Sequence, residues 1–343
     1  MDFMLNFEPK KLSRQISYRD KLMLIGSCFT EHIGDALSDV KFTLLQNPNG
    51  ILFDPASVCK SLISYVNNSK YQEADLFQLN EVWNSWQHHS RFSHFDKKEG
   101  LRIINESQQK AHEFLKTADW LIITLGTSFC YRLTEMAGSS KGAPPAGGAG
   151  LEGAVANCHR APAQWFSKHM LGIHEITESL DSCVHQLFQF NPGLQIIFTV
   201  SPVRHIRDGI VDNNRSKARL IEAVHHMINK FDRLHYFPAY EIVIDVLRDY
   251  RFYDIDLVHP NYMATDFVLQ KFISSCMDDQ ARELIDELLK LSVARRHKAF
   301  QPSTVAHKQF LQSSAEKTRE LQRKYPFLDL KEEIDYFNSA FGR

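Results

Sequence analysis

Apolar runs of strand length alternate along this chain with amphipathic stretches. The strand-like runs cover residues 21–25, 120–125, 195–200 and 236–243. Between them, apolar residues recur at the i, i+3 and i+4 spacing of a helix. These helical stretches cover residues 30–37, 57–67, 104–117, 173–190 and 216–230. Nearly continuous apolar strands that alternate with helices are typical of a parallel sheet buried on both faces. The pattern therefore predicts an α/β fold.

The pattern changes after about residue 278, where charged helical stretches replace the alternation. Ser303 and Asp329 are predicted helix starts, and Pro326 is a predicted break. We therefore predict a domain of residues 1–278 and a C-terminal helical extension of residues 279–343. Residues 138–150, GSSKGAPPAGGAG, predict a flexible Gly/Pro/Ala-rich loop inside the domain.

The charge and composition of the chain limit the classes of binding partner that we expect. The 343 residues include 40 Lys and Arg against 41 Asp and Glu, for a net charge of −1. This balance gives no attraction for nucleic acid. No apolar run approaches the roughly 20 residues of a membrane span, and the start of the chain lacks a signal-peptide pattern. The six cysteines are scattered without a CxxC pair, which indicates free thiols in a reducing compartment. We expect a cytoplasmic protein that binds neither nucleic acid nor membrane, as a monomer or a homodimer.

The first candidate for chemistry is Gly26-Ser27-Cys28, where the first predicted strand turns into a helix. Such a turn presents a nucleophile away from the backbone, and the helix N-terminus stabilises negative charge beside it. We expect this position to lower the pKa of the Cys28 thiol from its usual value of about 8.5. The alternative is a small-residue turn in which Cys28 is a buried apolar side chain.

A second candidate lies late in the chain, in DIDLVHP at residues 254–260. Asp256 and His259 are three residues apart, so both can face one site. The carboxylate then orients the imidazole, which acts as a base.

Two loops offer hydrogen-bond donors. In QNPNGILFDP, Asn47 and Gly50 belong to a rigid turn whose backbone N–H can point into a pocket. In VANCHRAP, Asn157 and His159 can supply a donor and a second polar contact. The alternatives are that residues 46–55 are an ordinary loop and that residues 155–162 are the end of a strand.

The stretch VWNSWQHHSRFSHFD, residues 82–96, is rich in His and aromatic residues. His88 or His89 with His94 and Asp96 is a conceivable zinc set, but the spacing matches no standard zinc motif. An aromatic wall that stacks on sugar rings, with His89 and His159 binding substrate, fits the composition better. We predict no metal and no cofactor.

Seven motifs in order resemble the bacterial GSCFA-domain family, which is grouped with the SGNH (GDSL-type) hydrolases. They are GSCF at 26–29, NPNGILFDP at 47–55, HHSRFSHF at 88–95, TLGTSF at 124–129, VANCH at 155–159, SPVRH at 201–205 and DLVHPN at 256–261. The resemblance runs from about residue 17 to residue 272. It implies a three-layer α/β/α domain around a central parallel sheet.

The resemblance also implies roles for individual residues. Asp256 and His259 match the D-x-x-H of the last SGNH block, and Gly50 resembles the backbone donor of the second. The third block has Ser128 where the superfamily has Asn, so either Ser128 or Asn157 supplies that donor.

The first block admits two alignments. Without gaps, Cys28 takes the nucleophile position and Ser27 replaces the Asp. A shift by one makes Ser27 the nucleophile but places Ile25 where Gly is expected. The ungapped alignment and the nucleophilicity of a thiolate favour Cys28. Loss of the first-block Asp suggests a site that has diverged from simple ester hydrolysis.

Together these residues predict an acyl-ester hydrolase or acyltransferase with acetyl-esterase-type chemistry on a carbohydrate or glycoconjugate. A covalent acyl-enzyme forms on Cys28 or Ser27, with Asp256 and His259 as the base pair. One alternative is a non-catalytic glycan- or metabolite-binding protein that retains the SGNH fold. A third hypothesis is a metal-dependent hydrolase built on the His-rich stretch.

Overall fold

A parallel sheet forms the centre of the computed structural model, which describes residues 5–138, 153–297 and 299–341. The strands in these residues are β1 (Leu22–Gly26), β2 (Leu44–Gln46), β3 (Leu76–Leu79), β4 (Val82–Ser85), β5 (Trp120–Leu125), β6 (Phe129–Leu133), β7 (Ala154–Val155), β8 (Phe166–Met170), β9 (Gln195–Val200) and β10 (Leu234–Tyr236). The central sheet has the order β10-β9-β5-β1-β2, with every pair parallel. The strand order reverses at β1, and a sheet of this order binds ligands beyond the carboxyl ends of its strands at that reversal.

Helices cover both faces of this sheet. They are α1 (Cys28–Asp39), α2 (Pro55–Val66), α3 (Lys97–Thr117), α4 (Glu135–Gly138), α5 (Ile173–Phe190), α6 (Ile210–Lys230), α7 (Ala239–Glu241), α8 (Tyr262–Cys276), α9 (Asp279–Arg296), α10 (Val305–Lys324) and α11 (Lys331–Phe341). Met23 and Ile25 of β1 pack with α2, α3, α5 and α6, whereas Leu22 and Leu24 pack with α1, α8 and α9. Alternate residues thus point to opposite faces and all are buried, which explains the continuous apolar runs. The predicted α/β architecture with a central parallel sheet is confirmed.

One predicted strand is wrong. The run 236–243 contains only the end of β10, and α7 and a π-helical turn, Ile242–Leu247, follow it. Pro238 cannot donate a ladder hydrogen bond, so it ends the strand. The apolar residues beyond it face the core from a helical turn, because a short apolar run fits either structure.

Two small antiparallel sheets were not predicted. One is the hairpin β3–β4, and the other has the order β7-β6-β8. Their strands are short and mix polar with apolar residues, for example FSKHM in β8, so they carry little periodic signal.

The C-terminal helices pack on the sheet domain. Leu284, Leu288 and Leu291 of α9 belong to the same apolar core as α1. Pro326 lies between α10 and α11, as predicted, whereas α10 is capped by Thr304 and not by Ser303. The domain boundary at residue 278 stays a prediction, and the predicted loop 138–150, apart from Gly138, lies outside the described residues. Among the helices described, none is long and apolar enough to cross a bilayer.

Asn47 fixes the end of β2 against the end of β1. Its buried Oδ1 accepts the Gly26 N–H at 2.9 Å, and its own N–H donates to Leu24 O at 2.8 Å. The backbone of Asn47 is left-handed, with φ 43°. This amide therefore holds the residue that directly precedes Ser27.

We expect Asn47→Ala to lower the free energy of unfolding by about 2–4 kcal/mol, since it leaves the Gly26 N–H buried without its acceptor. Asn68→Ala is a matched control, because Asn68 has φ 46° but its amide donates to an exposed Gln109. The control should lose only about 1 kcal/mol. Urea unfolding measures both, and equal losses would contradict the role of the Gly26 hydrogen bond.

Candidate active site

A cavity of about 1090 Å³ lies at the carboxyl edge of the central sheet. Its wall includes Ser27 and Cys28 after β1, Thr127 after β5 and residues 203–208 after β9. Asp256 and His259 line the same cavity, as does Asn157. The carboxyl ends of parallel strands meet at one edge, so residues distant in sequence come together here.

Cys28 is the first residue of α1, and its thiol is partly exposed to the cavity. Burial raises the pKa of this thiol, and Glu31 adds to the effect. The N–H groups of Phe29 and Cys28 act in the opposite direction, together with the Lys217 ammonium, but they are outweighed. The expected lowering of the pKa at this helix start is therefore wrong, because dehydration exceeds the stabilisation at the helix N-terminus. The thiol is protonated at neutral pH and needs a base to react.

Ser27 is much less accessible than Cys28. It is 4% exposed, and its N–H donates to Thr124 O at 3.3 Å. Its buried Oγ forms no hydrogen bond with any described residue. Of the two adjacent side chains, the Cys28 thiol is the one better placed to meet a substrate.

Asp256 and His259 form a hydrogen-bonded pair. The imidazole Nδ1 lies 2.6 Å from Asp256 Oδ2, while Asp256 Oδ1 accepts the backbone N–H of Val258 at 2.9 Å and of His259 at 3.0 Å. These hydrogen bonds, those from His259 first, lower the pKa of Asp256 to about 2. An ionised carboxylate accepts the proton on Nδ1 and leaves Nε2 unprotonated to act as a base. Within the described ranges, no hydrogen bond joins His259 to Ser27 or Cys28.

Of the predicted oxyanion donors, Asn157 is the one that lines the cavity. Its Oδ1 accepts the His159 N–H at 2.8 Å, which fixes the amide and leaves Nδ2 available to a ligand. The Gly50 N–H is already used, since it donates to Asn47 O at 2.7 Å. Asn47 itself is the buried amide that holds Gly26. Neither of these two turn residues contributes to the cavity wall.

Ser128 also lies outside the cavity wall. It is fully buried, and its N–H donates to Ser216 Oγ at 2.7 Å. The neighbouring Thr127 lines the cavity instead, with its Oγ1 2.9 Å from the same Ser216 Oγ. In the motif TLGTSF, Thr127 therefore faces the cavity, one residue before the position, Ser128, that the alignment indicates.

The His-rich stretch does not form a wall of this cavity. His88 is fully buried, with Nδ1 2.8 Å from Ser85 Oγ, and burial lowers its pKa to about 3. His159 Nε2 lies 2.8 Å from Ser85 O, and the imidazole packs edge-on against Trp86. His89 lies beside Gly50, with Nδ1 accepting the Arg91 N–H at 3.3 Å.

The positions of His89 and His159 give no support to the predicted substrate contacts. The aromatic side chains in the cavity wall are instead Phe53, Phe129, Tyr131 and Phe166. Within residues 5–138, 153–297 and 299–341, no group of three or more His, Cys, Asp or Glu side chains is arranged to hold a metal ion.

Several ionisable residues of the site were missed by the sequence analysis. Asp54, Lys168, Arg204, His205 and Asp208 line the cavity. His205 ends SPVRH, directly after β9, so its position at a strand end was an available signal. Burial lowers the pKa of His205 to about 4, with Lys217 the next contribution, so this imidazole is neutral at physiological pH.

Asp54 caps α2 from the cavity side. Its Oδ1 accepts the Ser57 N–H at 2.9 Å, and the residue is only 3% exposed. Burial raises the pKa of Asp54 to about 6, although the hydrogen bonds from Ser57 oppose the shift. Near neutral pH the fold therefore contains a carboxylate that is poorly hydrated.

A pKa raised on folding makes the native state bind a proton more tightly than the unfolded chain. The resulting stability is fully present below about pH 4 and is lost as the pH rises through about 6. We expect the titration of Asp54 to lower the free energy of unfolding by about 2–3 kcal/mol over this pH range.

Asp54→Asn should abolish this part of the pH dependence, as measured by urea unfolding at several pH values. Asp278→Asn, at the half-exposed cap of α9, is the matched control. An unchanged pH dependence in Asp54→Asn would contradict the assignment.

The chain was compared with solved structures, curated proteins and models of protein families. A crystal structure of a carbohydrate esterase family 3 protein from Talaromyces cellulolyticus has a TM-score of 0.34 and 9% identity, covering 79% of this chain and 99% of that chain. No curated protein matches. Residues 21–272 match the model of the GSCFA family, and residues 289–341 match that of the GSCFA domain protein, C-terminal domain. The chain belongs to the GSCFA family.

Proposed function

We propose that this protein is an acyl-ester hydrolase or acyltransferase of the SGNH type that works through a covalent acyl-enzyme on Cys28. The observation that carries the proposal is the hydrogen-bonded Asp256–His259 pair on the same cavity as the Cys28 thiol. A nucleophile at a helix start and an oriented imidazole are the two parts that acyl transfer requires.

In the first half-reaction, His259 Nε2 takes the proton from Cys28 Sγ, and the sulfur attacks the carbonyl carbon of the ester. The tetrahedral intermediate collapses with cleavage of the C–O bond, and the leaving oxygen takes the proton from His259. A thioester on Cys28 results. In the second half-reaction, His259 deprotonates water or an acceptor hydroxyl, whose oxygen attacks the thioester carbon. The C–S bond breaks, and Cys28 regains its proton.

The electrostatics of the cavity suit this sequence of steps. Because burial raises the pKa of the thiol, Cys28 depends on His259 to remove its proton. Asp256, with a pKa of about 2, stays ionised near neutral pH and stabilises the imidazolium. The N–H groups of Cys28 and Phe29 and the Asn157 Nδ2 are the donors for the oxyanion. Removal of one such donor typically lowers the rate by about 10²–10³-fold.

The cavity wall suits a carbohydrate or glycoconjugate ester. Aromatic faces stack on sugar rings, and Phe53, Phe129, Tyr131 and Phe166 supply such faces here.

We place this chemistry in the cytoplasm, since all six cysteines are free thiols.

The second candidate is a non-catalytic protein that binds a glycan or metabolite in the same cavity. It is favoured by one observation: in the part of the chain that the structure describes, His259 forms no hydrogen bond to Cys28 or Ser27. The missing first-block Asp agrees with it.

Intact-protein mass after brief exposure to p-nitrophenyl acetate and, separately, to acetyl-CoA distinguishes the two candidates. Turnover of the ester is followed in parallel, because rapid deacylation leaves no adduct. Wild type should show one acetyl group or turnover, and Cys28→Ala should show neither. His259→Ala should slow acylation by about 10²–10⁴-fold.

Cys158→Ala is the matched control, because Cys158 lines the same cavity and burial raises its pKa to about 11. It should react like wild type. Loss of the adduct in Ser27→Ala but not in Cys28→Ala would transfer the nucleophilic role to Ser27. Absence of both adduct and turnover in wild type would favour the binding protein.

A further inference from the structure

Lys217 is a buried lysine on α6 beneath the candidate active site. It is 1% exposed, and its Nζ donates to Gly126 O at 2.5 Å and to Ser201 O at 2.6 Å. Gly126 follows β5 and Ser201 follows β9, so one ammonium group connects the ends of two central strands. Both strands end at the edge that holds Cys28.

No carboxylate forms an ion pair with Lys217 among the residues described. Its Nζ contacts the two carbonyl oxygens and lies 5.8 Å from the ring centroid of Tyr240. An isolated buried ammonium is costly, because carbonyl dipoles replace only part of its hydration. Burial accordingly lowers the pKa of Lys217 to about 7. A neutral side chain would fill this position on the apolar face of α6 at a smaller cost.

The charged groups around Cys28 give this cation a role. Glu31, on the same helix, raises the pKa of the thiol, and the Lys217 ammonium lowers it. The effect is reciprocal, since a Cys28 thiolate raises the pKa of Lys217. Lys217 also lowers the pKa of His205, although burial lowers it more, so this imidazole is neutral near pH 7. Lys217 is therefore a side-chain cation that can balance negative charge on Cys28.

We propose that Lys217 is a positioning residue that ties the ends of β5 and β9 beneath the Cys28 turn and, as an ammonium, stabilises negative charge on Cys28 Sγ. The importance of Lys217 for catalysis rests on the proposed function, whereas its effect on the charge of Cys28 does not. In one form of the pair, Cys28 is a thiol and Lys217 is an amine. In the second form, Cys28 is a thiolate and Lys217 is an ammonium. Both forms hold the same number of protons, so the two groups titrate together. Loss of the ammonium removes the second form, so less thiolate is present near neutral pH.

The test is the rate of Cys28 alkylation by iodoacetamide from about pH 6 to about pH 10, followed by mass spectrometry of the Cys28 peptide. Lys217→Met removes the charge and the hydrogen bonds, whereas Lys217→Gln removes the charge and keeps an N–H donor. Both should slow alkylation about tenfold near pH 6, where wild-type Lys217 is an ammonium, and the difference from wild type should narrow above about pH 8, as wild-type Lys217 loses its proton. Thermal unfolding of each variant establishes that it is folded.

Two control variants test whether the change in alkylation rate is due to the Lys217 charge. Lys230→Met removes a lysine from the same helix, at its exposed end beside Asp181, and should leave the profile unchanged. Glu31→Gln removes the opposing charge and should move the midpoint to lower pH. A wild-type profile in Lys217→Gln would overturn the proposal and leave Lys217 as a structural tie.

If neither Lys217 variant folds, the wild-type alkylation profile carries the test. The increase in rate with pH should become shallower near pH 7, where Lys217 loses its proton and no longer favours the thiolate. A rate that rises through this range with no such break would overturn the proposal. Neither measurement depends on ester turnover, so a failure of the proposed acyl transfer is distinguishable from a failure of this inference.

Discussion

The close approach of Gly26 to β5 is the constraint on which the site depends. Gly26 pairs with Thr124 at the end of β1, with φ 153°, and a Cβ at this position would lie 2.4 Å from Thr124 O. Only glycine permits this contact. It brings the chain tightly against β5 where the strand order reverses, and the next two residues, Ser27 and Cys28, must then turn into α1. Asn47 reinforces the turn by accepting the Gly26 N–H.

The same tight packing sets the electrostatics. Burial is the largest influence on the pKa of Cys28, Asp54, His205 and Lys217, and in each case it favours the neutral form. Asp256 is the contrast: it lies at the exposed rim, and hydrogen bonds keep it ionised. A neutral interior beside an ionised Asp256 that orients His259 suits a nucleophile that is activated only when a base removes its proton.

Local pattern was sufficient for the parts of the fold that are periodic. The predicted runs 120–125 and 195–200 coincide with β5 and β9, because both strands are mostly apolar and are buried on both faces. The motif residues Cys28, Asn157, Asp256 and His259, which the sequence analysis named as candidates, line one cavity. The pattern could not show that His88 is buried or that His159 packs against Trp86. It gave no sign of Lys217 either, whose carbonyl partner Gly126 is 91 residues away.

The most direct test of a joint Cys28–His259 site is a crystal structure of the protein after reaction with iodoacetamide. The account predicts a carbamidomethyl group on Cys28 Sγ, with its carbonyl oxygen within about 3 Å of the Cys28 or Phe29 N–H or of Asn157 Nδ2. His259 Nε2 should lie within about 3–4 Å of the modified sulfur. An unmodified Cys28, or a His259 imidazole that stays well beyond hydrogen-bond reach of it, would contradict the account.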